Sequence, residues 1–171
     1  MGAQAPVVID PMRVRDIPDI LEIEHLSFTT PWTRGAFLSE LLANEYAYYI
    51  VAKVGGVAIA YIGVWIIVGE GHITNVAVHP DYRRQGIGRR LLLAADELVR
   101  ARDGYRMTLE VRKSNVFAQR LYRSLGYEPT GVRKGYYRDN REDAIVMWKE
   151  LGEEQADKGP ALNGLYRNET E

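Results

Sequence analysis

VAVHPDYRRQGIGRRLL, residues 76–92, passes through three kinds of chain in quick succession. Val76 and Val78 flank a small residue in the alternation of a half-buried strand. His79-Pro80-Asp81 ends that alternation. Arg83, Arg84, Gln85, Gly86, Ile87, Gly88 and Arg89 follow, and the apolar residues from Leu91 then recur at helical spacing. A strand, a basic glycine turn and a helix start in direct sequence predict a strand–helix–strand unit, and with it a mixed α/β domain.

The turn also has a chemistry. The first N–H groups of a helix have no partner within it and carry partial positive charge, which makes them a seat for phosphate. Gly86 and Gly88 let the backbone approach a ligand closely. Arg83, Arg84 and Arg89 add full charge beside them. No Gly-Lys-Ser/Thr follows the glycines, which excludes a Walker loop. Leu91 stands where a dinucleotide fingerprint needs its third small residue. A diphosphate cradle of another kind remains, set against a plain glycine turn with solvated arginines.

On either side the elements read as β-α-α-β-β-β-α-β-α-β-β, with about seven strands. VVIDPMRV is a first strand. A helix opens at Asp16, with Ile17, Ile20, Leu21, Ile23 and Glu24 on related faces. Pro31-Trp32-Thr33 breaks it, and Thr33 can cap a second helix. Gly55-Gly56 separates two β-rich runs as a tight hairpin. The helix after residue 86 ends at Gly104, in the place a left-handed cap prefers. In YRMTLEVR, Tyr105, Met107, Leu109 and Val111 point one way, and Glu110 points the other. Ser114 or Asn115 caps a short helix closed by Gly126. YEPTGVRKGYY and DAIVMWKEL are the last strands. The domain is expected over residues 1–151, with a polar, mobile tail over 152–171.

Composition narrows the function. The chain has 171 residues, 46% of them hydrophobic, which suits one domain with a real core. Lys and Arg number 22 against 23 Asp and Glu, so there is no broad basic surplus and no direct nucleic-acid partner is expected. The absence of cysteine removes disulfides, thiolate nucleophiles and Cys-based zinc sites. His25, His72 and His79 have no ligand spacing, so no metal is expected. No signal peptide or membrane span is read, which predicts a cytoplasmic protein without a membrane partner.

Arg83-x-x-Gly86-x-Gly88 after the strand NVAV resembles the coenzyme A signature of the GNAT family of N-acetyltransferases. The resemblance covers residues 7–150. LEVRKSNVFAQRLYRSLGY, GVRKGYY and REDAIVMW are similar to the bacterial ribosomal-protein-alanine N-acetyltransferases (the RimI type). It implies a single GNAT-type domain with splayed central strands. It also implies acetyl-CoA as co-substrate and a protein N-terminus as acceptor. That acceptor would be the alanine-starting small-subunit ribosomal protein S18, and the enzyme a monomer or weak dimer. It places the pantetheine arm and thioester on main-chain groups of Val76, Ala77 and Val78. The pyrophosphate falls on the turn from Arg84 to Arg89, and Asn115 also touches the cofactor. It assigns the proton acceptor to Glu110 and the donor to Tyr122.

The residues themselves bear on these roles. Acetyl transfer needs a neutral amine, donors for the developing oxyanion and a proton for the leaving thiolate. The Val78 N–H suits the second task. Asn115 and Tyr122, two helical turns apart, can line one side of a groove. Neutralising an α-amino group at pH 7 costs about 1 kcal/mol, against about 4.6 for lysine, which favours an N-terminal acceptor. An unshifted glutamate is a weak base, so the proton is expected to move through water. His79 and Asp81 rank behind Glu110 as bases. Glu24, Trp32, Tyr136 and Tyr137 are candidates for the wall of a peptide pocket, with internal packing as the alternative for the rings. Three rival functions remain open: acetylation of a small-molecule amine, acetylation of a lysine side chain, and a non-catalytic CoA-binding module.

Overall fold

The computed structural model describes residues 5–152. The expected tail falls beyond Gly152, outside the described residues. Seven strands and four helices run in the expected order. They are β1 (Val7–Pro11), α1 (Ile17–Ser27), α2 (Arg34–Leu42), β2 (Ala47–Val54), β3 (Val57–Ile67) and β4 (Glu70–Val78). After these come α3 (Ile87–Arg100), β5 (Arg106–Arg112), α4 (Val116–Ser124), β6 (Glu128–Arg133) and β7 (Ala144–Glu150). One sheet has the order β1-β2-β3-β4-β5-β7-β6. All its pairs are antiparallel except β4–β5, which α3 connects in parallel.

Local chemistry explains most boundaries. Thr33 accepts the Ala36 N–H at 3.2 Å and starts α2. Asn115 does the same for α4 through the Ala118 N–H at 3.1 Å. Gly55 and Gly56 both have positive φ, as a primed hairpin turn requires. Asp16 precedes α1 without capping it through its side chain. Its carboxylate instead accepts the Arg13 N–H and pairs with buried Lys53 at 2.8 Å.

Two expectations need correction. Gly104 is not the left-handed residue after α3; Asp103, with φ 57°, is. Gly104 is required by crowding instead, since a Cβ there would lie 2.2 Å from Val99 Cγ1. The second concerns β6, which stops at Arg133, so Tyr136 and Tyr137 belong to the loop before β7 rather than to a strand.

The sheet has a core on each face. Leu91, Leu92, Ala95, Leu98 and Val99 of α3 pack with Met107, Leu109, Val111 and Tyr122. Ile17, Ile20, Ile23 and Phe37 of α1 and α2 pack with Tyr49, Tyr61 and Ala77 on the other. Between the cores, β4 and β5 pair only at Glu70–Arg106, Gly71–Met107 and His72–Thr108. Beyond His72 the two strands separate. The register of β4 on β3 also shifts at Gly63/Val64, which leaves Thr74 as the extra residue. A bulge of this kind bends a strand and re-aims its side chains. Here Ile73 and Val76 both face the α3 core, while Asn75 and Ala77 face the other.

Candidate active site

The separation of β4 and β5 opens a cleft of about 520 Å³. Its strand walls are Ile73–Val76 on one side and Leu109–Arg112 on the other, with Asn115 and Tyr122 of α4 beside them. The end of α1 and the following loop, with Glu24 and Trp32, form one rim. Tyr137, Asp139 and Glu142 of the β6–β7 loop form another.

Pairing decides which backbone groups face this opening. The His79 N–H bonds to Ile59 O on β3 at 2.8 Å. Strand alternation then turns the main chain of Ala77 toward β3 as well, and that of Val76 and Val78 away from it, toward the gap. The Val78 carbonyl accordingly accepts Arg83 Nε at 2.9 Å. Of the three residues expected to present main-chain groups, Val76 and Val78 therefore face the gap and Ala77 does not.

Glu110 and Tyr122 reach the cleft from opposite faces of the sheet. Leu109 and Val111 belong to the α3 core with Tyr122, so Glu110 lies on the α1–α2 face. In a closed sheet two such side chains could not meet. The Glu110 side chain is 8% exposed, accepts from His72 Nε2 at 2.6 Å and pairs with Arg133 Nη2 at 3.4 Å. Burial pushes its carboxyl up, but the hydrogen bond from His72 and the charges of His72 and Arg133 outweigh this and hold it below the usual carboxylate value. Arg106 and Arg112, the neighbours a surface glutamate would pair with, are engaged by Glu70 and by Asp139 and Glu142. Tyr122 stacks edge-on to Tyr127 at 5.9 Å, and burial pushes its phenol up to about 12.

Glu24 is buried within α1. One carboxylate oxygen accepts the Tyr61 hydroxyl and the other the Trp32 N–H at 2.8 Å. Asn75 Nδ2 donates to the same hydroxyl at 3.2 Å. Burial raises the Glu24 carboxyl against these hydrogen bonds. Trp32 both lines the cleft and packs on Phe37, with ring centroids 5.4 Å apart. Tyr137 lines the cleft beneath the Arg112 guanidinium, 3.9 Å from its ring centre. Tyr136 is edge-on to Tyr137 and is not part of the lining.

The glycine turn lies at the start of α3. Gly86 has φ 76° and no side chain caps the helix, unlike α2 and α4. A Cβ at Gly88 would meet only Leu121 at 3.7 Å and Val78 at 3.9 Å, so packing does not demand a glycine there. Open N–H groups and a glycine facing outward fit an approaching diphosphate. The basic side chains around the turn are partly committed to the protein. Arg83 also donates to Ser27 Oγ at 3.1 Å, Gln85 to Asp81 O at 3.3 Å and Arg89 to Ser124 Oγ at 2.7 Å. Arg84 stacks on Phe117, 4.3 Å from the ring centre. His79 accepts the Asp81 N–H and does not line the cleft.

Two functional neighbours escape sequence reasoning. His72 meets Glu110 only because β4 and β5 pair in parallel with His72 opposite Thr108. Arg133 reaches Glu110 across β7, since Arg133 stands opposite Ala144 and Glu110 opposite Val146, on one face. Neither register can be read from spacing along the chain.

A sheet opened between two parallel strands, with an uncapped helix start beside the opening, defines an acyltransferase of the acetyl-coenzyme type. Residues 17–127 match the acetyltransferase (GNAT) family, and the chain belongs to that family. A Bacillus subtilis protein, provisionally named a ribosomal protein bS18-alanine N-acetyltransferase, is 47% identical over 142 residues, 83% of this chain and 94% of its own. The Escherichia coli protein of that name is 36% identical over 141 residues, 81% and 94% of the two chains. The crystal structure of the Escherichia coli ribosomal-protein-S18-alanine N-acetyltransferase superposes with a TM-score of 0.79 at 31% identity, covering 90% of this chain and 99% of that one.

Proposed function

We propose that this acyltransferase moves acetyl from acetyl-CoA to the α-amino group of a protein N-terminus, with the alanine-starting ribosomal protein bS18 as acceptor. The observation that carries the reading is the meeting of Glu110 and Tyr122 in one cleft from opposite faces of the sheet. The names of the relatives supply the acceptor.

Acetyl-CoA brings an activated acyl thioester. The N–H groups at the start of α3 hold its diphosphate, and Val76 and Val78 present main-chain groups along the gap. The Val78 N–H suits the oxyanion that develops on the thioester carbonyl. Glu110 takes the amine proton through water, and His72, hydrogen-bonded to the same carboxylate, fixes its orientation. A carboxylate held below its usual range is a weak base, which suits an α-amine that needs only about 1 kcal/mol to become neutral at pH 7. Tyr122 serves the leaving thiolate on the other face. Full transfer from a phenol near 12 to a thiolate near 8.5 is uphill by about 5 kcal/mol, so hydrogen-bond donation is the larger part of its role. Glu24 holds Trp32 at the rim, where its ring and Tyr137 bound the space for the first residue.

Mass spectrometry of peptides that differ only in their first residue, incubated with acetyl-CoA, tests the proposal. Acetylation on the α-amine of alanine-starting peptides is expected. Turnover of lysine side chains or polyamines, with none on those peptides, would reverse it.

A further inference from the structure

Phe117 stands outside every core. It is 55% exposed on the first turn of α4, beside Val116 at 50%. Its position relative to the glycine turn is fixed by α4 itself. Leu121, one turn further on and therefore on the same side of the helix, abuts Gly88, and Ser124 holds Arg89. The row Phe117, Leu121, Ser124 thus runs along the turn, with Phe117 at its outer end. Arg84 lies on that ring, its guanidinium 4.3 Å from the centre. Arg84 also has φ 64°, a conformation that disfavours a side-chain-bearing residue and turns the chain back toward α4.

We propose that Phe117 and Arg84 form the seat for the adenosine end of the coenzyme. This rests on the reading that the start of α3 holds the diphosphate. With the thioester in the gap beside Val78 and the diphosphate at Gly86–Gly88, the nucleotide leaves the turn toward solvent, where Phe117 offers an exposed aromatic face. A purine stacks on such a face without needing hydrogen bonds. The adenine takes the place of the guanidinium on the ring, and the displaced Arg84 meets the ribose 3′-phosphate, whose charge it matches. The ligand class is a 3′-phosphorylated adenine nucleotide carrying a diphosphate.

Equilibrium binding to the full chain, by calorimetry, tests this with three ligands: acetyl-CoA, its 3′-dephospho form and acetyl-4′-phosphopantetheine. Phe117→Ala is expected to weaken the first two about tenfold, within the range for base–aromatic stacking, and to leave the third unchanged. Phe117→Trp should restore binding. Arg84→Gln should weaken acetyl-CoA and spare the dephospho form. Unchanged affinity for acetyl-CoA in Phe117→Ala, or equal loss for all three ligands, overturns the nucleotide seat alone. A wild-type protein that binds none of the three overturns the diphosphate reading beneath it.

Discussion

Glu110 works under two opposed influences, and their balance can be measured. Desolvation favours its neutral form, while His72 and Arg133 favour the carboxylate and prevail. A group with a lowered folded pKa contributes stability above its unfolded value and loses it as pH falls through the folded one. Proton acceptance follows the same limb, so activity should persist through the ordinary carboxylate range and fail only below it. Arg133→Gln removes one of the favouring charges, and the acid limb of kcat/KM should move to higher pH, with Arg133→Lys restoring it. An unmoved limb would mean that Arg133, whose side chain is 58% exposed, is screened by solvent. Glu110→Gln should lower kcat at least about a hundredfold, within the range for general acid–base groups, and leave the acetyl-CoA Kd intact. Tyr122→Phe should lower kcat about tenfold or more, as loss of a hydrogen bond to a charged group does. Turnover equal to wild type in both variants would remove the catalytic assignment.

Elements differ in how openly the sequence declares them, and the differences have causes. Thr33 and Asn115 sit directly before apolar helical runs and act through their own N–H neighbours, so both caps are legible. Thr33→Ala should therefore cost about 1 kcal/mol in urea unfolding. The strand, turn and helix over residues 76–92 are legible for the same reason, being local. Gly104 is misread because its demand comes from Val99, five residues earlier and folded back on it. A Cβ there would also lie 2.8 Å from Val99 O, so Gly104→Ala should cost about 1–3 kcal/mol, as overpacking does, and a smaller loss in the same titration would show that the α3 end can shift. Within the site, Glu110 and Tyr122 announce themselves through motifs, whereas His72 and Arg133 depend on strand register. The β6–β7 loop is hidden more deeply. Arg112 gathers Asp139 at 2.8 Å and Glu142 at 3.3 Å, and Thr29 reaches Asp139 at 2.7 Å from beyond α1. This closes the rim with residues over a hundred positions apart, which no local pattern could bring together.

On the scale of the whole molecule, the sheet is two parts joined at one end of β4 and β5. Glu70 and Arg106 clasp there, and Arg106 lies over Trp148, 4.4 Å from its ring centre. Beyond His72 no strand pairing crosses the gap. A coenzyme lying in that gap would touch Val76 and Val78 on one part and α4 on the other, so its binding should stabilise the folded chain as a unit. Acetyl-CoA at a hundred times its Kd adds about 2.7 kcal/mol, which for a domain of this size raises Tm by roughly 5–10 °C. Gly88 separates that effect from ordinary stability. Its Cβ position meets nothing closer than 3.7 Å, and alanine is favoured over glycine within a helix by up to about 1 kcal/mol. Gly88→Ala should therefore keep or raise the Tm of the free protein while shrinking the shift produced by acetyl-CoA. Differential scanning fluorimetry with and without the coenzyme reads both quantities. A variant with an undiminished shift would show that no ligand approaches the backbone at Gly88, and the diphosphate would have to be sought away from the α3 turn.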